Sequence, residues 1–377
     1  MKFAIVETVV TPGGHEIDYD RILVEELKAL GHEVEFYVPE GHRFQWDYRV
    51  PIHEMPGSGV SYDGIRGIRK WWRACIRERR RHGWYETLFA KAKEGAFDAL
   101  IFPSATYRYL RGLRRSKLLK SPVPTFFIIH GLTPTEAGRL FEQGEAVRSE
   151  KNVKILVQTF ARQALSTNLP NVHFCNPPAY VPRDIPGRGL QQCPETLTLG
   201  FFGQYRKEKN LDTFLDVFGA CRFERKVKLL IQGATKSDED AADFQRIIEK
   251  YGADARIEFL HKALIGPEWQ AGIDSVDALV MPYPAERYRY HTSAMLSNGI
   301  GFYRPMIIAD NVNPEVLAEY GVGIAFDGKD LQAFQTALET FVNTFDSRFE
   351  QYRSELQRAN DDFSPRKLAQ TLVDLAK

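Results

Sequence analysis

Four cysteines, Cys75, Cys175, Cys193 and Cys221, are all that 377 residues contain, and none forms a CxxC pair or a zinc-like spacing with histidine. That scarcity excludes a disulfide-stapled scaffold and a cysteine-rich metal module, and it predicts the reduced thiols of a cytoplasmic chain. Long apolar runs are missing too. Nowhere do ~18 hydrophobic residues follow one another, so no membrane-spanning helix is predicted. The opening residues 1–7 meet charge after only a few apolar positions, which predicts no signal peptide. Charge of one sign is also scarce: 50 Lys and Arg face 49 Asp and Glu, a net charge of +1. The chain as a whole is therefore neither a polyanion binder nor an acidic solvating tail, and electrostatics must be local. The G-x-G-x-x-G dinucleotide fingerprint and the P-loop lysine are absent as well.

What is present is an alternation of short apolar runs with helix-spaced apolar faces. A 44% hydrophobic content at this length suits two domains. Residues 3–10 predict a buried strand, residues 11–16 a glycine loop, Ile17, Ile22, Leu23, Leu27 and Leu30 the apolar face of a helix, and residues 34–38 the strand after it. Gly13 and Gly14 would let a ligand approach the backbone, or simply make a turn. Further strands are predicted at 99–103, 125–129, 153–158 and 171–174. His130 stands at the carboxyl end of the second of these, where a ligand contact and a satisfied structural histidine both fit. Residues 177–194 hold five prolines with Gly187 and Gly189 and no periodicity, the composition of an inter-domain connection. A fresh series follows, with strands at 197–202, 227–232, 256–260, 278–281, 306–309 and 322–326. The expectation is α/β: two Rossmann-like, doubly wound parallel-sheet domains facing each other across a cleft. Their bounds are 1–180 and 197–360, joined by a linker at 181–196. Residues 361–377 are expected to form a helix packing back toward the N-terminal domain, with Asp361 and Asp362 in a short break.

Residues 277–310 concentrate the chemistry. An apolar strand leads into a loop carrying Glu286, Arg287, Arg289, Tyr290 and His291, and Thr292 and Ser293 stand where a helix N-cap belongs. Amides at a helix start, two hydroxyls and flanking arginines suit a phosphate or diphosphate, and they also suit an ordinary capped helix. Arg206 and Lys209 follow Gly203 in the loop after the 197–202 strand, at the equivalent end of the same predicted sheet. Asp238-Glu239-Asp240 follows a polar spacer and predicts a helix start rather than a metal site. A different cluster runs from residue 66 to 81, RGIRKWWRACIRERRR, and a second basic stretch covers 108–120. Cations beside tryptophans fit an anionic bilayer surface. They also fit a solvated face whose tryptophans turn into the core, whereas the rest of the chain lacks a nucleic-acid module.

Taken in order, these motifs resemble the GT-B-fold glycosyltransferases, in particular the family-4-like group, over essentially the whole chain. PGGHE with LVEELKALGHEVEFY resembles the glycine loop and first helix, FFGQYRKEKNLDTFLDVF the opening of the second domain, and LVMPYPAE…HTSAML…RPMIIADN…PEVL…GVGIAF the donor-binding stretch. Lys209 matches the family lysine, and Gln204 stands where its arginine usually is. The Glu-x7-Glu pair is degenerate: counting forward from Glu286 reaches Ala294, and counting back from Pro305 reaches Asn298 and Tyr290. The resemblance implies a retaining, metal-independent transferase using a nucleotide-sugar as co-substrate and no cofactor. His130, Glu286, Arg206 and Lys209 would be catalytic. Gly13, Gly14, Gly203, Tyr290, His291, Thr292, Ser293, Ala294 and Asn298 would bind the donor. Arg69, Lys70, Trp71, Trp72 and Arg73 would meet a membrane or acceptor. The implied partners are a glycan or lipid-linked acceptor and an anionic membrane surface, with no nucleic acid, in bacterial polysaccharide or glycoconjugate synthesis. The implied place is the cytoplasm, peripheral on the inner face of the cell membrane. A sugar-nucleotide epimerase, or an inactive sugar-nucleotide-binding homologue, on the same fold remains the alternative.

Overall fold

Strands buried on both faces read as continuous apolar runs, because helices cover each side of a parallel sheet. The run KFAIV does this at the start of the chain: Phe3, Ala4 and Ile5 have no exposed surface in β1 (Lys2–Val6). The strand ends at Val6, short of the predicted residue 10. The computed structural model describes residues 1–8, 15–61, 67–115 and 120–377, with the backbone alone for His15 and Arg115. Gly13 and Gly14, named above as donor-binding, lie outside the described residues, as does Arg66 at the head of the basic stretch.

The chain divides into two units, Met1–Asn176 with Pro365–Lys377, and Pro177–Ser364. The first holds β1, β2 (Glu33–Pro39), β3 (Ile52–Met55), β4 (Ala99–Phe102), β5 (Thr125–His130), β6 (Val153–Gln158) and β7 (Val172–Cys175). Among the described residues they form one parallel sheet in the order β3-β2-β1-β4-β5-β6-β7. β3, absent from the expectation, is a partly exposed edge strand reading IHEM, too short and polar to give an apolar run. The Ile68–Lys93 helix packs its second half on this sheet through Trp84, Tyr85, Leu88 and Phe89, all buried. The last helix, Pro365–Ala376, lies along the His15–Ala29 helix of the same unit.

The second unit holds β8 (Thr196–Phe201), β9 (Lys226–Gln232), β10 (Ile257–Leu260), β11 (Ala278–Met281), β12 (Met306–Ala309) and β13 (Gly323–Phe326), all parallel, in the order β10-β9-β8-β11-β12-β13. The order reverses between β8 and β11, and at such a switch point loops from the two strands diverge and leave a crevice at their carboxyl ends. Phe214, Leu215 and Phe218 of the Leu211–Ala220 helix and Phe334, Leu338 and Phe341 of the Leu331–Thr344 helix are buried with the sheet. Residues 361 and 362 are the last two of the Phe349–Asp362 helix, so the break falls two residues later than expected, at Phe363 and Ser364. Phe363 caps that helix, and Pro365, suited to a first helical position, opens the next.

Candidate functional site

β8 and β11 are hydrogen-bonded neighbours, pairing Ala278 with Leu199 and Leu279 with Gly200, so their following loops emerge side by side. After β8 the chain turns at Gly203, whose φ of +107° is costly for any residue with a Cβ. Its amide donates to Gln232 Oε1 at 2.9 Å, and a Cβ there would sit 3.2 Å from Lys209 Nζ. A 3-10 turn, Lys207–Lys209, then folds the lysine back under the loop. Lys209 is 8% exposed, with Nζ donating to the Phe202 carbonyl at 3.4 Å. The ammonium also lies 5.2 Å from the Tyr283 ring centroid and 5.8 Å from that of Phe201. Burial, with Arg206 and Arg287 nearby and only Glu208 opposing, lowers its pKa to about 7. Glu208 joins the two loops, 3.6 Å from Arg206 and 3.0 Å from Arg287.

After β11 the loop carries a short turn, Glu286–Arg289, and reaches Ser293 at the N-cap of the eight-residue Ala294–Gly301 helix. The expected hydroxyl cap is not made. Ser293 is 4% exposed with its Oγ turned to Met281 Sδ at 3.7 Å, while its amide donates to Asn313 Oδ1 at 2.9 Å. Asn313, in the left-handed region at φ 41°, also donates to the His291 carbonyl. The helix's Ala294 and Met295 amides have no intramolecular partner among the described residues. Thr292 Oγ1 and the Tyr283 hydroxyl are buried with no bonded partner among the described residues. A buried unpaired hydroxyl costs ~1–3 kcal/mol, so two of them flanking open amides and a buried ammonium mark a place shaped for a polar, anionic ligand.

The structure thus gathers Gly203, Arg206, Lys209, Thr292, Ser293 and Ala294 at the ends of two adjacent strands. Tyr290 and His291 are half-buried in the same loop, and Glu286 is exposed on it. Asn298 is a turn deeper, 1% exposed, donating to the Ala294 carbonyl and accepting from Trp269 Nε1 at 3.2 Å. Both ends of its amide are thus satisfied inside the unit. Arg289 is committed to Glu315. His130 belongs to the other unit: its Nε2–H donates to the Pro103 carbonyl at 2.7 Å and its ring stands edge-on to Tyr19 at 4.6 Å. Asp238-Glu239-Asp240 forms the first turn of the Asp238–Tyr251 helix, with Ser237 accepting from the Asp240 amide. Sequence reasoning missed Tyr283 and Asn313; the only local signal for Asn313 was the Asn-Pro step before a helix.

The basic tryptophan segment splits in two. Trp84 is buried, with Nε1–H donating to the Pro56 carbonyl at 3.1 Å, as a core tryptophan should. Trp71 and Trp72 are 61% and 60% exposed, among exposed Arg69, Lys70 and Arg73, so the reading that turns them into the core does not hold for this pair.

No protein-family model and no curated protein matches the sequence. Solved structures do match over nearly the whole chain. Anabaena HepE in complex with UDP and glucose is similar at TM-score 0.63 and 12% identity, over 99% of this chain and 98% of that one. The catalytic domain of Arabidopsis thaliana starch synthase IV, bound to ADP and acarbose, is similar at TM-score 0.65 and 12% identity over 100% and 98%. The lipopolysaccharide outer core galactosyltransferase WaaB is similar at TM-score 0.62 and 14% identity over 99% of both chains. With the strand orders above, these likenesses establish the fold: two Rossmann-like α/β units of the GT-B class.

Proposed function

We propose that this protein transfers a sugar from a nucleotide-diphosphate sugar to a glycan or lipid-linked acceptor, with retention of configuration, in bacterial surface polysaccharide or glycoconjugate synthesis. One observation carries the reading: at the carboxyl ends of β8 and β11, Lys209, Arg206 and Arg287 accompany the open amides of the Ala294–Gly301 helix. The solved structures with this fold that hold UDP and glucose, or ADP and acarbose, support a nucleoside diphosphate as the ligand.

Leaving-group departure breaks the bond between the sugar's anomeric carbon and the diphosphate oxygen, which takes the electron pair. Lys209, Arg206 and the amides of Ala294 and Met295 stabilise that growing charge from fixed positions, the most effective form of electrostatic catalysis. The acceptor hydroxyl bonds to the anomeric carbon on the face the diphosphate leaves, and its proton passes to the departing phosphate oxygen. No metal ion is assigned a part. Glu208 holds Arg206 and Arg287 between the two loops until the diphosphate competes for them. Replacing Lys209 by Ala should lower transfer from nucleotide-sugar by orders of magnitude while leaving the circular dichroism spectrum unchanged; near-normal turnover refutes the assignment.

A further inference from the structure

The first unit contains a second charged site. Between the helices Ile68–Lys93 and Tyr107–Arg115 lies an open cavity of about 880 Å³ walled by Lys70, Trp71, Arg77, Tyr107, Arg108 and Arg111. One carboxylate, Glu78, faces it, and that group is committed to Arg81 at 3.0 Å and Arg77 at 3.4 Å. Four cations against one engaged carboxylate leave a strong local excess in a chain whose net charge is only +1. Arg111 Nε is buried with no hydrogen-bond partner among the described residues. Arg108 and Arg111 stand over the Tyr107 ring at 5.7 and 5.8 Å. A hydrogen bond from Arg108 outweighs burial and pulls the Tyr107 phenol below its ordinary range, with weaker help from Arg139. Arg81, the buried partner of Glu78, is 4% exposed and lies 4.1 Å over the Tyr109 ring.

Beside the cavity the same helix presents an apolar stripe to solvent. Ile68, Trp72 and Ile76 recur every fourth residue and are 76%, 60% and 43% exposed, with Trp71 bordering both stripe and cavity. Side chains of that size gain free energy on leaving water, so an apolar phase next to an anion site is the complementary surface.

We propose that this cavity binds the phosphate of an anionic phospholipid headgroup while Ile68, Trp71, Trp72 and Ile76 enter the adjoining bilayer interface. The assignment rests on the membrane-side half of the proposed function and is independent of the donor chemistry. Phosphate oxygens accept hydrogen bonds from Arg108, Arg111 and Lys70, satisfying the buried Arg111 nitrogen, and the tryptophan pair sits at headgroup level, where amphipathic rings are favoured.

The test is co-sedimentation of the full chain with vesicles of phosphatidylcholine, with and without phosphatidylglycerol. The wild type should sediment only with the mixed vesicles. Arg108→Gln with Arg111→Gln should lower partitioning about thirtyfold, at ~1 kcal/mol per cation near an anionic surface. The charge-matched control Arg79→Gln with Lys93→Gln, exposed and outside the cavity, should cost no more than about threefold. Trp71→Ala with Trp72→Ala, at exposed positions, provides a second route if the arginine variant fails to fold. Equal losses in the two charge-matched pairs would mean diffuse attraction and overturn the site. Binding of inorganic diphosphate that Arg108→Gln with Arg111→Gln weakens, without vesicle sedimentation, would assign the cavity to a free phosphate compound and overturn the lipid source. A melting shift with nucleoside diphosphate in the same preparation reports on the donor site separately, so the two readings can fail independently.

Discussion

Lys209 makes the affinity for a nucleoside diphosphate depend on pH in a direction that can be worked out. In the free protein its pKa is lowered to about 7 by burial, Arg206 and Arg287. Beside a bound diphosphate the ammonium returns toward its usual ~10, because an opposite charge favours the protonated form. Between these values binding takes up a proton, so affinity must fall as pH rises. The dissociation constant scales with one plus the ratio of neutral to charged Lys209, roughly 2 at pH ~7 and ~100 at pH ~9. Affinity should weaken about fiftyfold across that window, worth about 2 kcal/mol. The phosphate's own last proton leaves near pH ~6 and does not interfere. Stability runs the other way: a lysine depressed in the folded state is protonated only in the unfolded chain above pH ~7, so stability rises toward pH ~10. Isothermal titration calorimetry in buffers of different ionisation enthalpy measures affinity and proton uptake together. Lys209→Met should bind weakly and without the slope. A wild-type dissociation constant that stays flat from pH ~7 to ~9 would refute the buried ammonium as the diphosphate's partner.

Other consequences are local. A Cβ on Gly301 would lie 2.1 Å from the Tyr180 carbonyl oxygen and 2.9 Å from the Tyr180 nitrogen. Backbone cannot swing aside as a side chain can, so Gly301→Ala should destabilise by ~3 kcal/mol and lower the melting temperature. Asn313→Ala removes the acceptor for the Ser293 amide and the donor to the His291 carbonyl. It should cost ~2 kcal/mol and weaken nucleotide binding, and Asn313→Asp, which keeps the acceptor, should recover most of the Ser293 contact. The roles the resemblance implies for His130 and Glu286, contact with the transferred sugar, predict that alanine at either lowers turnover more than nucleotide affinity; equal losses would count against them.

The α/β alternation was legible because each buried strand is a short apolar run bounded by glycine, proline or polar residues, as in 278–281 and 306–309. β3 was not, since an edge strand exposed on one side carries no such run. The loops after β8 and β11 could be read as ligand-facing from their place in the alternation. Their internal bonding could not: Ser293 occupies the cap position, yet its hydroxyl turns to Met281, and a loop twenty residues later supplies the restraining Asn313. The burial of Lys209 depends on Phe201 at the end of β8 and Tyr283 in the loop after β11, a coincidence no local pattern encodes. The tryptophan segment shows the same limit. Trp71, Trp72 and Trp84 share one basic helix, and the sheet beneath its second half buries only the last.

The most direct test of the central claim is thermal melting of the protein against UDP, GDP, dTDP, ADP and CMP. Ligand at about 100 times its dissociation constant adds ~2.7 kcal/mol, a readily seen shift. The account predicts that one nucleoside diphosphate raises the melting temperature and that Lys209→Ala abolishes the rise. No shift with any nucleotide, or one that survives loss of Lys209, would contradict it.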